Sequence, residues 1–167
     1  MIIFITGGER SGKSRYAQDL ALAQSGNPYY LATSKIWDDD FKERVKRHQE
    51  ERDDRWTSIE EQFEISKVLP EKGAVVVDCV TLWLTNYFSK YKGDKEQVVS
   101  EAKAELNKLL GYQGVLIIIS NELGMGLHAS TKSGRDFVEC QGWINQFIAS
   151  NADEVYFMVS GLPLKVK

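Results

Sequence analysis

This sequence predicts an α/β fold with a mostly parallel sheet covered by helices on both faces. Three observations carry the prediction. The continuous apolar runs VVV at 75–77 and LIII at 116–119 are what strands buried on both faces require. Such runs alternate with longer amphipathic stretches, the rhythm of strand–helix–strand units. The stretch GGERSGKSR at 7–15 lies directly between the first apolar run and the first amphipathic one.

Each element follows from local pattern. Ile2 to Thr6 reads as a buried strand and Lys13 to about Gln24 as a helix. Tyr29 to Thr33 is a short strand placed just after Pro28. Asp38 to about Asp54 reads as a helix, with Asp38 and Asp39 favouring its N-terminal end through the helix dipole. Ala74 to Asp78 is a strand, Val80 to Phe88 and Lys95 to Leu110 are helices, and Val115 to Ser120 is a strand. Arg135 to Ala149 closes as a helix, and Glu154 to Val159 is the last clear strand. Lys90 to Asp94 and the Gly-, Ser- and Thr-containing stretch Gly124 to Gly134 read as loops. The second follows the C-terminal end of a strand, where α/β proteins bind ligands.

The chain has 167 residues, enough for one domain over 1–167 and too few for two of full size. Apolar residues make up 43% and charged residues 27%, a soluble globular composition. A net charge of −3 speaks against a general nucleic-acid surface. Cys79 and Cys140 form no CxxC pair, so reduced thiols in a cytoplasmic protein are the simpler reading than a disulfide framework. No apolar run reaches membrane-spanning length, and the opening Met1-Ile-Ile-Phe reads as a strand rather than a leader.

Gly7, Gly12, Lys13 and Ser14 spell G-x-x-x-x-G-K-[ST], a phosphate-gripping loop in its required setting between strand and helix. The N–H groups of Gly7, Gly8, Glu9, Arg10, Ser11 and Gly12, with the helix N-terminus behind them, attract phosphate oxygens. Lys13 is expected on the outer phosphates and the Ser14 hydroxyl on Mg²⁺. Asp78, ending AVVVD at a strand's C-terminal end, is expected as the acidic partner of that metal; a cap of the next helix is the other reading. The fold class expected is thus a single P-loop (RecA-like) domain. Asn121-Glu122-Leu123-Gly124 stands where a guanine-reading switch GTPase carries N-K-x-D, which weakens that reading. A DNA motor is disfavoured by the short, acidic chain.

His48 shares a helical stripe with Phe41, Val45 and Arg52, so it faces inward. On the residues alone it is either a buried, carboxylate-bonded histidine or a nucleophile, since a neutral imidazole can attack phosphorus. His128, in the Gly-rich loop, is given no role.

The chain resembles the bifunctional adenosylcobinamide kinase / adenosylcobinamide-phosphate guanylyltransferase family over nearly its whole length. The resemblance runs through TGGERSGKSRYA at 6–17, YLATS at 30–34, DDDFKERVKRHQEERDDRW at 38–56, DCVTLWLTN at 78–86, SNELGMGL at 120–127 and the stretch from 145 to 167. Its more specific parts are the spacing of Arg44, His48, Arg52 and Trp56, together with NELGMG. The resemblance implies that His48 becomes guanylylated. It further implies nucleotide contacts at Gly7–Ser14, at Ala32, Thr33 and Ser34, at Gln49, Glu50, Glu51 and Arg52, and at Glu60 and Leu82. Ala32 and Leu82 are equally readable as packing, and Glu50 and Glu51 as a solvated helix face. Leu127-His128-Ala129 replaces a proline that often follows GMG in the family, and FVECQG at 137–142 replaces the usual FRDxAG.

What the resemblance implies is two reactions using ATP, GTP and Mg²⁺, on adenosylcobinamide and then on adenosylcobinamide phosphate. It also implies a homo-oligomer, with a trimer as the expected form. Two other readings stand beside it: a simple P-loop small-molecule kinase with a structural His48, and a non-enzymatic nucleotide-binding regulatory module.

Overall fold

A computed structural model describes residues 1–35, 43 and 52–167 of the chain. The element order is β1 (Ile2–Gly7), α1 (Lys13–Gln24), β2 (Tyr29–Ala32), β3 (Thr57–Glu60), a 3₁₀ turn (Ile65–Lys67), β4 (Ala74–Asp78), α2 (Val80–Lys90), α3 (Lys95–Leu109), β5 (Val115–Asn121), α4 (Lys132–Asn151), β6 (Glu154–Val159) and β7 (Leu162–Lys165). The strands form one sheet in the order β3-β2-β4-β5-β1-β6-β7. All its pairings are parallel except the final β6–β7 hairpin.

Alternation along the strands splits the core into two layers. Ile2, Phe4, Val75, Val77, Leu116 and Ile118 face α2, α3 and α4, where Trp83, Leu84, Leu106 and Ile144 meet them. Ile3, Ile5, Val76, Ile117 and Ile119 face α1 through Ala17 and Ala21. The small alanines let α1 lie close across β1, β5 and β4. That crossing carries the first turn of α1 from the loop strand to the end of β4.

The structure corrects the expected elements in several places. Strand β3 was not expected, because TSIE is short and mostly exposed at the sheet edge. Strand β7 was not expected either, because it carries Pro163, which an edge strand tolerates. Helix α4 starts at Lys132 instead of Arg135, since the Thr131 side chain accepts the Gly134 N–H at 3.0 Å and caps it. Residues 52–54, expected within a helix reaching about Asp54, are not helical, and Asp53 instead holds Arg55 in a tight turn. Of the rest of that expected helix only Glu43, which is helical, is described; His48, Gln49, Glu50 and Glu51 lie outside the described residues. No helix among the described residues is long and apolar enough to cross a membrane.

Candidate active site

The phosphate-gripping loop joins β1 to α1. Gly7 and Gly12 are glycine for steric reasons. A Cβ on Gly7 would stand 2.7 Å from the Met158 carbonyl oxygen, and Gly12 has φ +94° with Gly161 Cα 3.1 Å from where its Cβ would be. The Gly161 N–H donates to the Ser11 carbonyl at 2.9 Å, so the β6–β7 turn braces the loop from outside. No side chain caps the first turn of α1. Its N-terminal N–H groups and dipole suit an anion. Ser11 Oγ is buried without a hydrogen-bond partner among the described residues, a further donor for phosphate. Lys13 is buried at 8% exposure, and its ammonium donates to the Gly8 carbonyl at 2.5 Å, inside the curl of the loop.

Ser14 Oγ donates to Asp78 Oδ2 at 3.0 Å, and the Tyr30 hydroxyl donates to the same oxygen at 2.5 Å. Asp78 does not cap α2, whose N-cap residue is Cys79. The capping reading is therefore set aside: the carboxylate turns back across the sheet to α1 and β2. Burial, and then the adjacent Asp78 charge, hold the Tyr30 phenol well above its usual range, so it stays a donor. Burial pushes the Cys79 thiol up to about 12, which removes it as a nucleophile.

Glu60, Ala32 and Asp78 stand at one level across β3, β2 and β4. Ala32 and Leu82 pack with Tyr30 and Trp56 against the α1-side core. Thr33 is fully buried; its hydroxyl donates to the Cys79 carbonyl at 2.8 Å and its N–H to the Asp78 carbonyl at 3.1 Å. Its side chain pins strand ends together and faces no opening, so of the Ala32-Thr33-Ser34 group Ser34 is the more accessible hydroxyl. Arg52 lies with its guanidinium carbon 3.8 Å from the Tyr30 ring centroid, and its Nε and Nη1 have no hydrogen-bond partner among the described residues. An arginine stacked this way with unspent donors is fit to receive phosphate oxygens.

The structure thus brings together Gly7–Ser14, Asp78, Ala32, Glu60 and Arg52 along the C-terminal edge of the sheet. Sequence reasoning missed Tyr30, because a tyrosine inside a short strand carries no spacing signal for its hydroxyl's partner. It also gave no role to Glu122, whose N–H donates to the Gly7 carbonyl at 3.0 Å.

A strand, a glycine-rich turn and a helix that hold a buried lysine beside a serine–aspartate pair define a P-loop nucleotide-binding protein. Strand β5 separates the loop strand from the Asp78 strand, the RecA-like arrangement. An ATPase from the type III secretion system of pathogenic bacteria matches this fold with a TM-score of 0.54 at 13% identity, over 93% of this chain and 50% of that one. The chain belongs to the cobinamide kinase / cobinamide phosphate guanyltransferase family, which matches residues 3–166. It is 33% identical over 183 aligned residues, spanning all of both chains, to the bifunctional adenosylcobalamin biosynthesis protein CobU of Escherichia coli strain K12. It is 35% identical, over 98% of this chain and 95% of the relative, to the bifunctional protein CobP of Pseudomonas aeruginosa.

Proposed function

We propose that this protein phosphorylates the aminopropanol hydroxyl of adenosylcobinamide with ATP or GTP, and then converts adenosylcobinamide phosphate and GTP into adenosylcobinamide-GDP and pyrophosphate. The observation that carries this reading is the Ser14–Asp78 contact of 3.0 Å at the mouth of the phosphate loop, in a chain that belongs to this family over its length. In the first step Lys13 and the loop N–H groups offset the charge on the transferred phosphoryl group. Ser14 and Asp78 would hold Mg²⁺. Both offer oxygen, the ligand type that a hard cation takes alongside waters and phosphate oxygens. When bound, Mg²⁺ neutralises negative charge on the nucleotide phosphates.

In the second step a lone pair of the His48 imidazole forms a bond to the α-phosphorus of GTP, and pyrophosphate leaves. An oxygen of adenosylcobinamide phosphate then attacks the same phosphorus, and the nitrogen–phosphorus bond breaks. Covalent catalysis of this kind replaces one displacement by two. Support comes from family membership and from Arg52, four positions beyond His48, which stands against Tyr30 with Nε and Nη1 unbonded among the described residues. The reading includes a homo-oligomer, a trimer, working in the cytoplasm without nucleic acid.

The test uses GTP labelled in its α-phosphate. After denaturation, label on His48 that is lost in acid, stable in base and absent from His48→Ala is the expected result. Acid-stable label elsewhere, or none while phosphorylation of adenosylcobinamide proceeds, overturns the transferase step and leaves a simple kinase. Absence of any turnover leaves a nucleotide-binding module.

A further inference from the structure

Phosphorylation of an alcohol needs a group that accepts the hydroxyl proton, and among the described residues those assigned above do not supply one. Lys13 is a cation. Asp78 already receives the Ser14 and Tyr30 hydroxyls on Oδ2. Glu60 stands on β3, separated from the loop strand by β2, β4 and β5. Glu9 is exposed on the loop itself.

Glu122 is differently placed. It directly follows β5, the strand between β1 and β4, and adjacent strands lie about 4.8 Å apart. It therefore sits one strand from the loop and one strand from Asp78, and its own N–H is bonded to Gly7 at 3.0 Å. The backbone leading to it is held from two helices. The Asn121 N–H donates to Thr81 Oγ1 at 3.1 Å, and Asn145 Nδ2 donates to the Asn121 carbonyl at 3.1 Å. Asn145 is fixed in turn by the Ser120 hydroxyl at 2.7 Å and the Gln141 amide at 3.1 Å, all three side chains being buried. A loop residue anchored to this degree meets the positional tolerance that proton transfer demands. Its carboxylate is partly buried. Oε1 accepts the Gly124 N–H at 2.6 Å, and Oε2 has no hydrogen bond among the described residues.

We propose that Glu122 is the general base of the phosphorylation step, an assignment that rests on the kinase reading above. The acceptor oxygen forms a bond to the γ-phosphorus, and the bond from that phosphorus to the β,γ-bridging oxygen breaks. The hydroxyl proton passes to a Glu122 carboxylate oxygen, and the nucleoside diphosphate departs. The guanylyl acceptor is a phosphate oxygen that is already ionised, so the second reaction does not draw on this base.

Glu122→Gln keeps the shape and the acceptor for Gly124, and both reactions are measured on it. The kcat for adenosylcobinamide phosphorylation is expected to fall about 100-fold or more, with loss of the acid limb of its pH profile. The KM for nucleotide and the rate of GMP transfer stay within about threefold. Phosphorylation retained within about threefold overturns the assignment, as does an equal fall of both reactions with weakened nucleotide binding, which marks a structural role. If Glu122→Gln does not fold, Glu122→Asp decides: a reduced kcat that keeps the acid limb supports the base, and an unchanged kcat overturns it. Wild-type protein that transfers GMP yet phosphorylates no adenosylcobinamide sinks the kinase reading and this assignment together. If instead phosphorylation fails only in Glu122→Gln, the kinase reading stands.

Discussion

Tyr30 donates its hydroxyl to Oδ2 of Asp78 at 2.5 Å, from a ring buried at 4% exposure between Trp56 and the guanidinium of Arg52. One phenol thereby links β2 to the end of β4 and to the chain that returns at Arg52. The contact orients the carboxylate toward Ser14, and the aromatic ring gives Arg52 a surface on which to lie.

Tyr30→Phe keeps the ring and removes the donor. The expected cost is about 1–2 kcal/mol of stability, because a carboxylate loses a close partner in a partly buried site. The Mg²⁺ concentration for half-maximal phosphorylation is expected to shift while Arg52 stays in place. Thermal melts and Mg²⁺ titration read the two effects, and an unchanged titration would show that Ser14 alone orients Asp78.

Asp78→Asn is expected to weaken Mg²⁺-dependent turnover, with partial rescue at high Mg²⁺. Since Cys79 is the N-cap of α2, the helix itself should be unaffected. Circular dichroism and activity across Mg²⁺ concentrations check this, and unchanged metal dependence would make Asp78 purely structural.

Lys13→Ala is expected to lower kcat for phosphorylation by about 10²–10³-fold or more. The side chain is buried and its ammonium holds a loop carbonyl, so the variant is expected to melt somewhat lower while remaining folded. Near-normal phosphorylation by a folded variant refutes the role.

Gly12→Ala places a Cβ at a φ of +94° and 3.1 Å from Gly161 Cα. About 1–2 kcal/mol of destabilisation is expected from the backbone conformation alone. The rise in melting temperature produced by added nucleotide should also shrink, because the loop must part from the β6–β7 turn. Full retention of that rise would show that the turn yields.

Glu105 links stability to pH. Burial raises its pKa, but the hydrogen bonds from Lys108 Nζ at 2.7 Å and the Ser66 N–H at 2.7 Å outweigh burial and lower it overall. A lowered native value means that the stabilisation is present above the ordinary glutamate range and fades as pH falls through the native value. Glu105→Gln should therefore melt lower than wild type at pH 7, with the gap closing below about pH 4. A gap that stays constant from pH 7 to pH 3 would contradict the linkage.

The sequence displays the sheet wherever strands are buried on both faces, since VVV at 75–77 and LIII at 116–119 admit few other structures. It hides the edges. TSIE and LPLK each pair on one side only and have no need of an apolar pattern, so β3 and β7 give no periodic signal. The loop was legible because its glycines, lysine and serine are contiguous. The Asp78 partnership was legible only as a choice between metal and cap, and Cys79 at the N-cap position removed the cap. Tyr30 and Glu122 were not legible, because each depends on a neighbour brought in by strand order rather than by spacing along the chain.

The brace from Gly161 to Ser11 also bears on how the protein is made. Ribosomes deliver a chain from its N-terminal end, so the phosphate motif emerges before the strands that flank β1. β1 gains its two neighbours only when residues 115–121 and then 154–159 have been added, and the turn that steadies the loop comes later still. A nascent or prematurely terminated product therefore carries the nucleotide signature in its sequence without the shape to use it.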